Sequence, residues 1–189
     1  CAEPSNAGLS DFGRAVVAEM NRVGVIVDVA HAGWQTSLEA AQASGKPMVA
    51  SHSGCCAVNA HMRCKPDEVI RAIVDSGGYI GICCIPHFLG RGCDISALLD
   101  HVDHVARKFG TDCVTIGTDT AYTSRNASSE RSKLPPRPKG RHRWAYSWPP
   151  GTLGDGAGTP QARQSLSWTN WPLFTVGLVQ RGYTDEDIR

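Results

Sequence analysis

The sequence predicts an α/β fold, a parallel sheet forming part of a (β/α)8 barrel, and three observations lead there. Short, nearly continuous apolar runs alternate with segments of helical hydrophobic period. The runs begin roughly 25 to 35 residues apart, the rhythm of a barrel repeat. Polar residues able to do chemistry stand at the carboxyl ends of these runs. A doubly wound open sheet is the structural alternative, but a Gly-x-Gly-x-x-Gly phosphate loop after the first strand is absent.

Ser10 to Val23 opens with a Ser-Asp cap signal, and Phe12, Val16, Val17, Met20 and Val23 recur at helical spacing. Gly24 breaks that period, and Val25 to Ala30 runs almost wholly apolar, as expected of a strand covered on both faces; His31 stands at its end. Gln35 to Ser44 reads as a helix, Gly45-Lys46-Pro47 as a turn and Met48 to Ser51 as a short buried strand ending at His52. Pro66 to Asp75 is a helix with proline in its first turn and Asp67 and Glu68 facing the helix dipole. Tyr79 to Cys84 makes the third strand, Ile95 to Phe109 the next helix, and Cys113 to Thr118 the fourth strand, closed by Asp119. Arg125 to Gly158 loses all hydrophobic period and reads as a loop-rich insertion. A last helix, Trp171 to Arg181, stops at Gly182, and Thr184-Asp185-Glu186 starts another. The expected organisation is one incomplete barrel domain over residues 1–189, cut at both ends.

Nineteen Lys+Arg against 18 Asp+Glu leave a net charge of +1 over 189 residues, so no global field draws the chain to nucleic acid or an acidic membrane. The longest apolar stretches, Val23–Ala32 and Tyr79–Ile85, are far too short to span a bilayer, and no signal sequence is visible. Eight cysteines without a Cys-x-x-Cys pair read as small buried residues and favour a reducing, cytoplasmic compartment.

Strand ends of a parallel barrel meet at one mouth, so His31, His52 and Asp119 form a candidate site. Imidazole suits zinc, and a catalytic zinc needs only a few protein ligands. A lone histidine at a strand end is more often a hydrogen-bonded rim residue, and spacing alone leaves both readings open.

Further motifs accompany these residues. Asp28-Val29-Ala30-His31, then Ser51-His52-Ser53, then Arg63 with Pro66-Asp67 behind it, and finally Gly117-Thr118-Asp119 resemble successive signature segments of the membrane (renal) dipeptidase family. Gly8-Leu9-Ser10-Asp11-Phe12-Gly13 and the run from Trp168-Thr169-Asn170-Trp171-Pro172 to Arg189 resemble family sequence too. The resemblance implies a (β/α)8 barrel of the metal-dependent hydrolase type, of which this chain holds roughly the last four strands. It implies a dipeptidase that hydrolyses a dipeptide with metal-activated water, through two zinc ions per complete site. His31 and His52 would be ligands of the second zinc, Arg63 would hold the dipeptide's free carboxylate through its bidentate fork, and Asp119 would manage the water's proton.

Departures accompany the resemblance. The family's His-x-Asp pair, bridging glutamate and oxyanion-stabilising histidine would precede Cys1, so this chain carries one metal half-site and is expected not to turn over dipeptides by itself. Cys64 follows the arginine where asparagine is frequent, and Thr120-Ala121-Tyr122 stands where many members carry a second acid and a glycine. A homodimer is a further implication of the family. The rival reading is an inactive half-barrel, fragment or paralogue, that serves as an interaction module.

Other features read as structural. Asp100-His101-Val102-Asp103-His104 has metal-like spacing, but its helix should lie outside the barrel. His61, His87 and His142 have no partner pattern. The basic residues Arg125, Arg131, Lys133, Arg137, Lys139, Arg141 and Arg143 read as a solvated loop, with Trp144 and Trp148 able to wrap the site mouth or a second subunit. Cys55 or Cys56 beside His52 could be a thiol nucleophile, but their setting is apolar and no third residue orients the histidine.

Overall fold

A computed structural model of the chain describes residues 5–120, 126–135 and 158–189. Helix α1 (Asp11–Val23) is capped by Ser10, whose hydroxyl accepts from the Gly13 amide, and ends at Gly24 in the left-handed region at φ 78°. Strand β1 (Val27–Asp28) leads to α2 (Trp34–Ala43), β2 (Met48–Ser53), α3 (Asp67–Asp75) and β3 (Ile80–Ile82). A one-turn helix α4 (Pro86–Leu89) precedes the long α5 (Ile95–Phe109), capped by Asp94; a 3-10 turn (Thr111–Cys113) then enters β4 (Val114–Ile116). Beyond it come α6 (Ala127–Ser132), α7 (Pro160–Ser165), α8 (Trp171–Gln180) and α9 (Asp185–Ile188).

All pairings are parallel and the strand order is β1-β2-β3-β4. That order separates the two candidate architectures: a doubly wound sheet reverses direction at a switch point, whereas a barrel adds each strand beside the last. The chain is a four-stranded piece of a (β/α)8 barrel. Its core packs Met48, Ala50, Ile80 and Ile82 of the sheet against Val69, Ile70 and Ile73 of α3 and Leu98, Val102 and Val105 of α5. Gly78, Gly81 and Gly117 bring strands closer than a side chain permits: a Cβ at Gly117 would lie 1.8 Å from the Ser51 carbonyl oxygen.

Several expectations need correction. The run Val25–Ala30 is not a strand covered on both faces: β1 holds two residues, and Val25 and Ile26 are 52% and 64% exposed. Its only ladder among the described residues is with β2. Conversely β2 extends through Ser53, which places His52 inside the strand and not beyond it. Pro66 is the N-cap of α3 and not a first-turn residue. Helices α4, α6 and α7 were unforeseen because each is no more than six residues long, too short for a period to register. Of the segment 125–158, residues 126–135 and 158 are described; Arg125, Arg137, Lys139, Arg141, Arg143, Trp144 and Trp148, like His142, lie outside the described residues. No helix among the described residues is long and apolar enough to cross a membrane.

Candidate active site

The sheet's carboxyl end is built around Asp28. Its Oδ1 accepts from the Ala30 amide at 3.0 Å and the Ser51 amide at 3.1 Å, and its Oδ2 accepts from the Ser51 hydroxyl at 2.5 Å. Burial by itself would raise the Asp28 carboxyl, but the bonds from Ser51 and Ala30 and the His52 charge hold it below its ordinary value. A carboxylate thus ties the exit of β1 to β2. Val29 adds one more bond across the pair, its amide donating to the Val49 carbonyl at 2.8 Å.

These ties bring the two predicted imidazoles together. His31 Nε2 lies 2.9 Å from His52 Nε2, with ring centroids 4.9 Å apart. The Ser51 hydroxyl has one proton and spends it on Asp28, so it must accept from His52 Nδ1, 2.8 Å away. In its neutral form His52 therefore turns an unprotonated Nε2 towards His31. Arg63 points an Nη2 donor at His31 Nε2 from 3.5 Å. The contact is that of an N–H···N hydrogen bond, and a cation could take the place of the shared proton. Partial desolvation first, then the charges of Arg63 and His52, push the His31 imidazole below its ordinary value, which favours the unprotonated, metal-ready ring.

The donor set fits zinc as far as it goes. Two imidazole nitrogens at Zn–N distances of about 2.0–2.1 Å in a tetrahedral site stand roughly 3.3 Å apart, close to the separation found. Among the described residues no group of three His, Cys, Asp or Glu side chains converges as a metal site.

Arg63 is buried at this end of the sheet, 1% exposed. Nη1 bonds the Ala30 carbonyl, Nη2 donates to the His52 carbonyl at 3.3 Å, and the guanidinium lies 5.3 Å from the Phe88 ring centroid. Burial lowers its pKa from the ordinary arginine value. Asp119 follows β4 in the left-handed region at φ 52° and is exposed; its charge acts on both His31 and Arg63, so the fourth predicted residue reaches the same end of the sheet.

Sequence reasoning missed two residues. Lys65 is fully buried, and its ammonium, pulled down to about 8 by burial and the Arg63 charge, donates to backbone carbonyls beside His31. Its only signal was a lysine two residues after an arginine, which reads as a surface pair. His101 was placed with its helix on the outside, yet it is fully buried: Nδ1 accepts from the Cys55 amide at 2.8 Å and Nε2 donates to the Leu89 carbonyl at 3.2 Å. It is no ligand of the pair but a brace for the loop three residues after His52. His61 Nδ1 accepts from the Arg63 amide at 3.1 Å, and its ring lies 5.3 Å from that of His87. Burial raises the Cys55 thiol and takes Cys56 up to about 11, the wrong direction for a nucleophile. A cleft of about 590 Å³ beside β4, lined by Tyr79, Ile116, Phe174 and Leu178 among others, contains none of the four predicted residues.

Comparison with known structures agrees with this architecture. An amidohydrolase from Pseudomonas aeruginosa is 28% identical, with a TM-score of 0.68 over 96% of this chain and 53% of its own. A metallo peptidase from Rhodobacter sphaeroides, liganded with a phosphinate mimic of the dipeptide L-Ala-D-Ala, is 23% identical, with a TM-score of 0.66 over 96% of this chain and 43% of its own. The dipeptidase AC, a metallo peptidase of family M19, is 22% identical, with a TM-score of 0.68 over 96% of this chain and 45% of its own. The chain spans about half the length of the solved structures it matches. The family described as membrane dipeptidase, peptidase family M19, matches residues 1–130, which include all of the sheet and every residue of the candidate site, and the chain belongs to that family.

Proposed function

We propose that the protein acts in zinc-dependent hydrolysis of dipeptides, with His31 and His52 holding one of the two zinc ions of a complete site. The observation that carries this is the 2.9 Å approach of the His31 and His52 Nε2 atoms at the end of the sheet, with Ser51 and Asp28 orienting the His52 ring from behind. When bound, zinc supplies Lewis acidity and lowers the pKa of water.

The chain's own residues would do the rest. Asp28 and Ser51 keep His52 in the tautomer that presents Nε2. Arg63 offers a planar fork for the substrate's free carboxylate, and its two buried carbonyl bonds hold that fork at the sheet end. Asp119, exposed just after β4, would take the proton of the attacking water and pass it to the leaving amine, so no covalent intermediate forms. A dipeptide with a D-residue at its carboxyl side is the substrate of choice for testing, since the Rhodobacter sphaeroides relative is liganded with a mimic of one.

A second reading is favoured by one observation: among the described residues no third ligand joins the pair. On that reading the half-barrel binds metal weakly and serves as an interaction module. Zinc titration of the chain and of the His31→Ala, His52→Ala double variant, with Gly-D-Ala hydrolysis measured on each, separates these readings. Zinc binding that the double variant loses supports the half-site, and turnover by the zinc-loaded chain excludes the module. Equal zinc binding by both proteins overturns the assignment of the pair.

A further inference from the structure

We propose that Lys65 is a positioning residue, a strut that sets the spacing and ring presentation of the His31–His52 pair. Its main chain is fastened to the exit of β2. The Lys65 amide donates to the Gly54 carbonyl at 2.8 Å, and the Cys56 amide donates to the Lys65 carbonyl at 2.9 Å, a parallel bridge beginning two residues past His52. Its side chain is fastened to the exit of β1. Nζ donates to the Val29 carbonyl at 2.7 Å, the Ala32 carbonyl at 2.8 Å and the Ser37 hydroxyl at 3.3 Å. Val29 and Ala32 bracket His31, and the Ala32 amide closes the turn on the Val29 carbonyl at 3.0 Å. One residue therefore connects the backbone that carries His52 to the turn that carries His31.

The chemistry suits lysine in particular. An ammonium has three protons in a compact tetrahedral array, and three acceptors use all of them. Arg63 takes the intervening Ala30 carbonyl, so the carbonyls of Val29, Ala30 and Ala32 all bond one of two buried cations. Trp34 Nε1, donating to the Cys64 carbonyl at 3.0 Å, pins the segment between those cations to α2. Burying a charge is costly, and replacing one by an apolar group of similar shape is often neutral for stability. A fully buried lysine is thus better accounted for by what it positions than by stability.

The test uses the whole chain, without metal and then with zinc, in wild type and Lys65→Met, which keeps the stem and removes every donor. Long-range proton–nitrogen NMR of the imidazoles reports ring tautomers directly. In K65M the His31 signals are expected to shift and lose their single-tautomer pattern, while His101, held by Cys55 and Leu89, keeps its signals and certifies the fold. Zinc affinity is expected to fall roughly 10- to 100-fold, the range for loss of an outer-shell partner. The zinc arm rests on the metal reading given above; the imidazole arm does not. A shifted His31 with no zinc binding in either protein leaves the strut standing and sinks the metal reading. Unchanged His31 and His52 signals with equal zinc affinity overturn the strut and leave the metal reading intact. If K65M loses the His101 signals, Ser37→Ala, which frees one of the three bonds, decides by the same criterion: shifted His31 signals support the strut, unchanged ones refute it.

Discussion

His101 offers a sharp test of how the loop behind His52 is held. Replacing it by leucine, of similar volume, leaves the Cys55 amide and the Leu89 carbonyl without their partners in a fully buried place. Each orphaned group costs about 1–3 kcal/mol, so a loss near 3 kcal/mol is expected, a fall in Tm of roughly 6–12 °C for a chain of this length. The pH dependence gives a second signature. Burial lowers the His101 pKa against the opposing pull of the Leu89 carbonyl, so the folded state prefers the neutral ring. A folded pKa below the unfolded value of about 6.5 means the contribution is fully present above that pH and is lost as pH falls through the folded value. The slope is at most about 1.4 kcal/mol per pH unit. His31 shifts in the same direction, so part of the wild-type slope survives in the variant and the difference between the curves belongs to His101. Urea unfolding by circular dichroism from pH 8 to pH 5 measures both. Parallel curves for wild type and His101→Leu, or equal stability at pH 8, would refute the bracing role.

Other expectations follow from the same contacts. Ser51→Ala removes the hydroxyl between Asp28 and His52; calorimetric zinc titration should show about tenfold weaker binding with a stability loss of only about 1 kcal/mol. Gly117→Ala drives a methyl into the Ser51 carbonyl and should cost about 1–3 kcal/mol or more in denaturant melts, with zinc affinity falling in step because His52 follows Ser51. Burial raises the thiols of Cys83 and Cys84 to about 11 and about 12, so at pH 8 a disulfide reagent should label them only after denaturant is added.

The helices were the most legible part of the fold. Ile95–Phe109 stands at the bounds read from the sequence, and Ser10 caps α1 as its position before Asp11 implied. Strand ends were less legible, because an apolar run records what could be buried and not what is available to bury it: Val25 and Ile26 have the composition of a strand, yet among the described residues they pair with none and are exposed. His31, His52, Arg63 and Asp119 stood out because linked motifs surround them; the parallel order brings the ends of β1, β2 and β4 to one side of the sheet, and the bonds of Arg63 to the Ala30 and His52 carbonyls bring it there too. Lys65 and His101 were opaque for a physical reason. Both are polar residues made compatible with burial by carbonyls and amides far away in sequence, and no local pattern records that a distant backbone group will be waiting.

The brevity of β1 has a dynamic consequence. Among the described residues β2 is flanked by ladders on both sides, whereas β1 has one short ladder and relies on side chains for the rest. Local opening is easiest where few backbone bonds must break together, so amide exchange should be fast along residues 27–32 and slow along 48–53. His52 thus hangs from the slow part of the sheet and His31 from the fast part. On the proposed metal reading, an ion between them would be captured first by His52 and closed in by His31, and would leave in the reverse order, with a residence time set by how often the 29–32 turn lifts away.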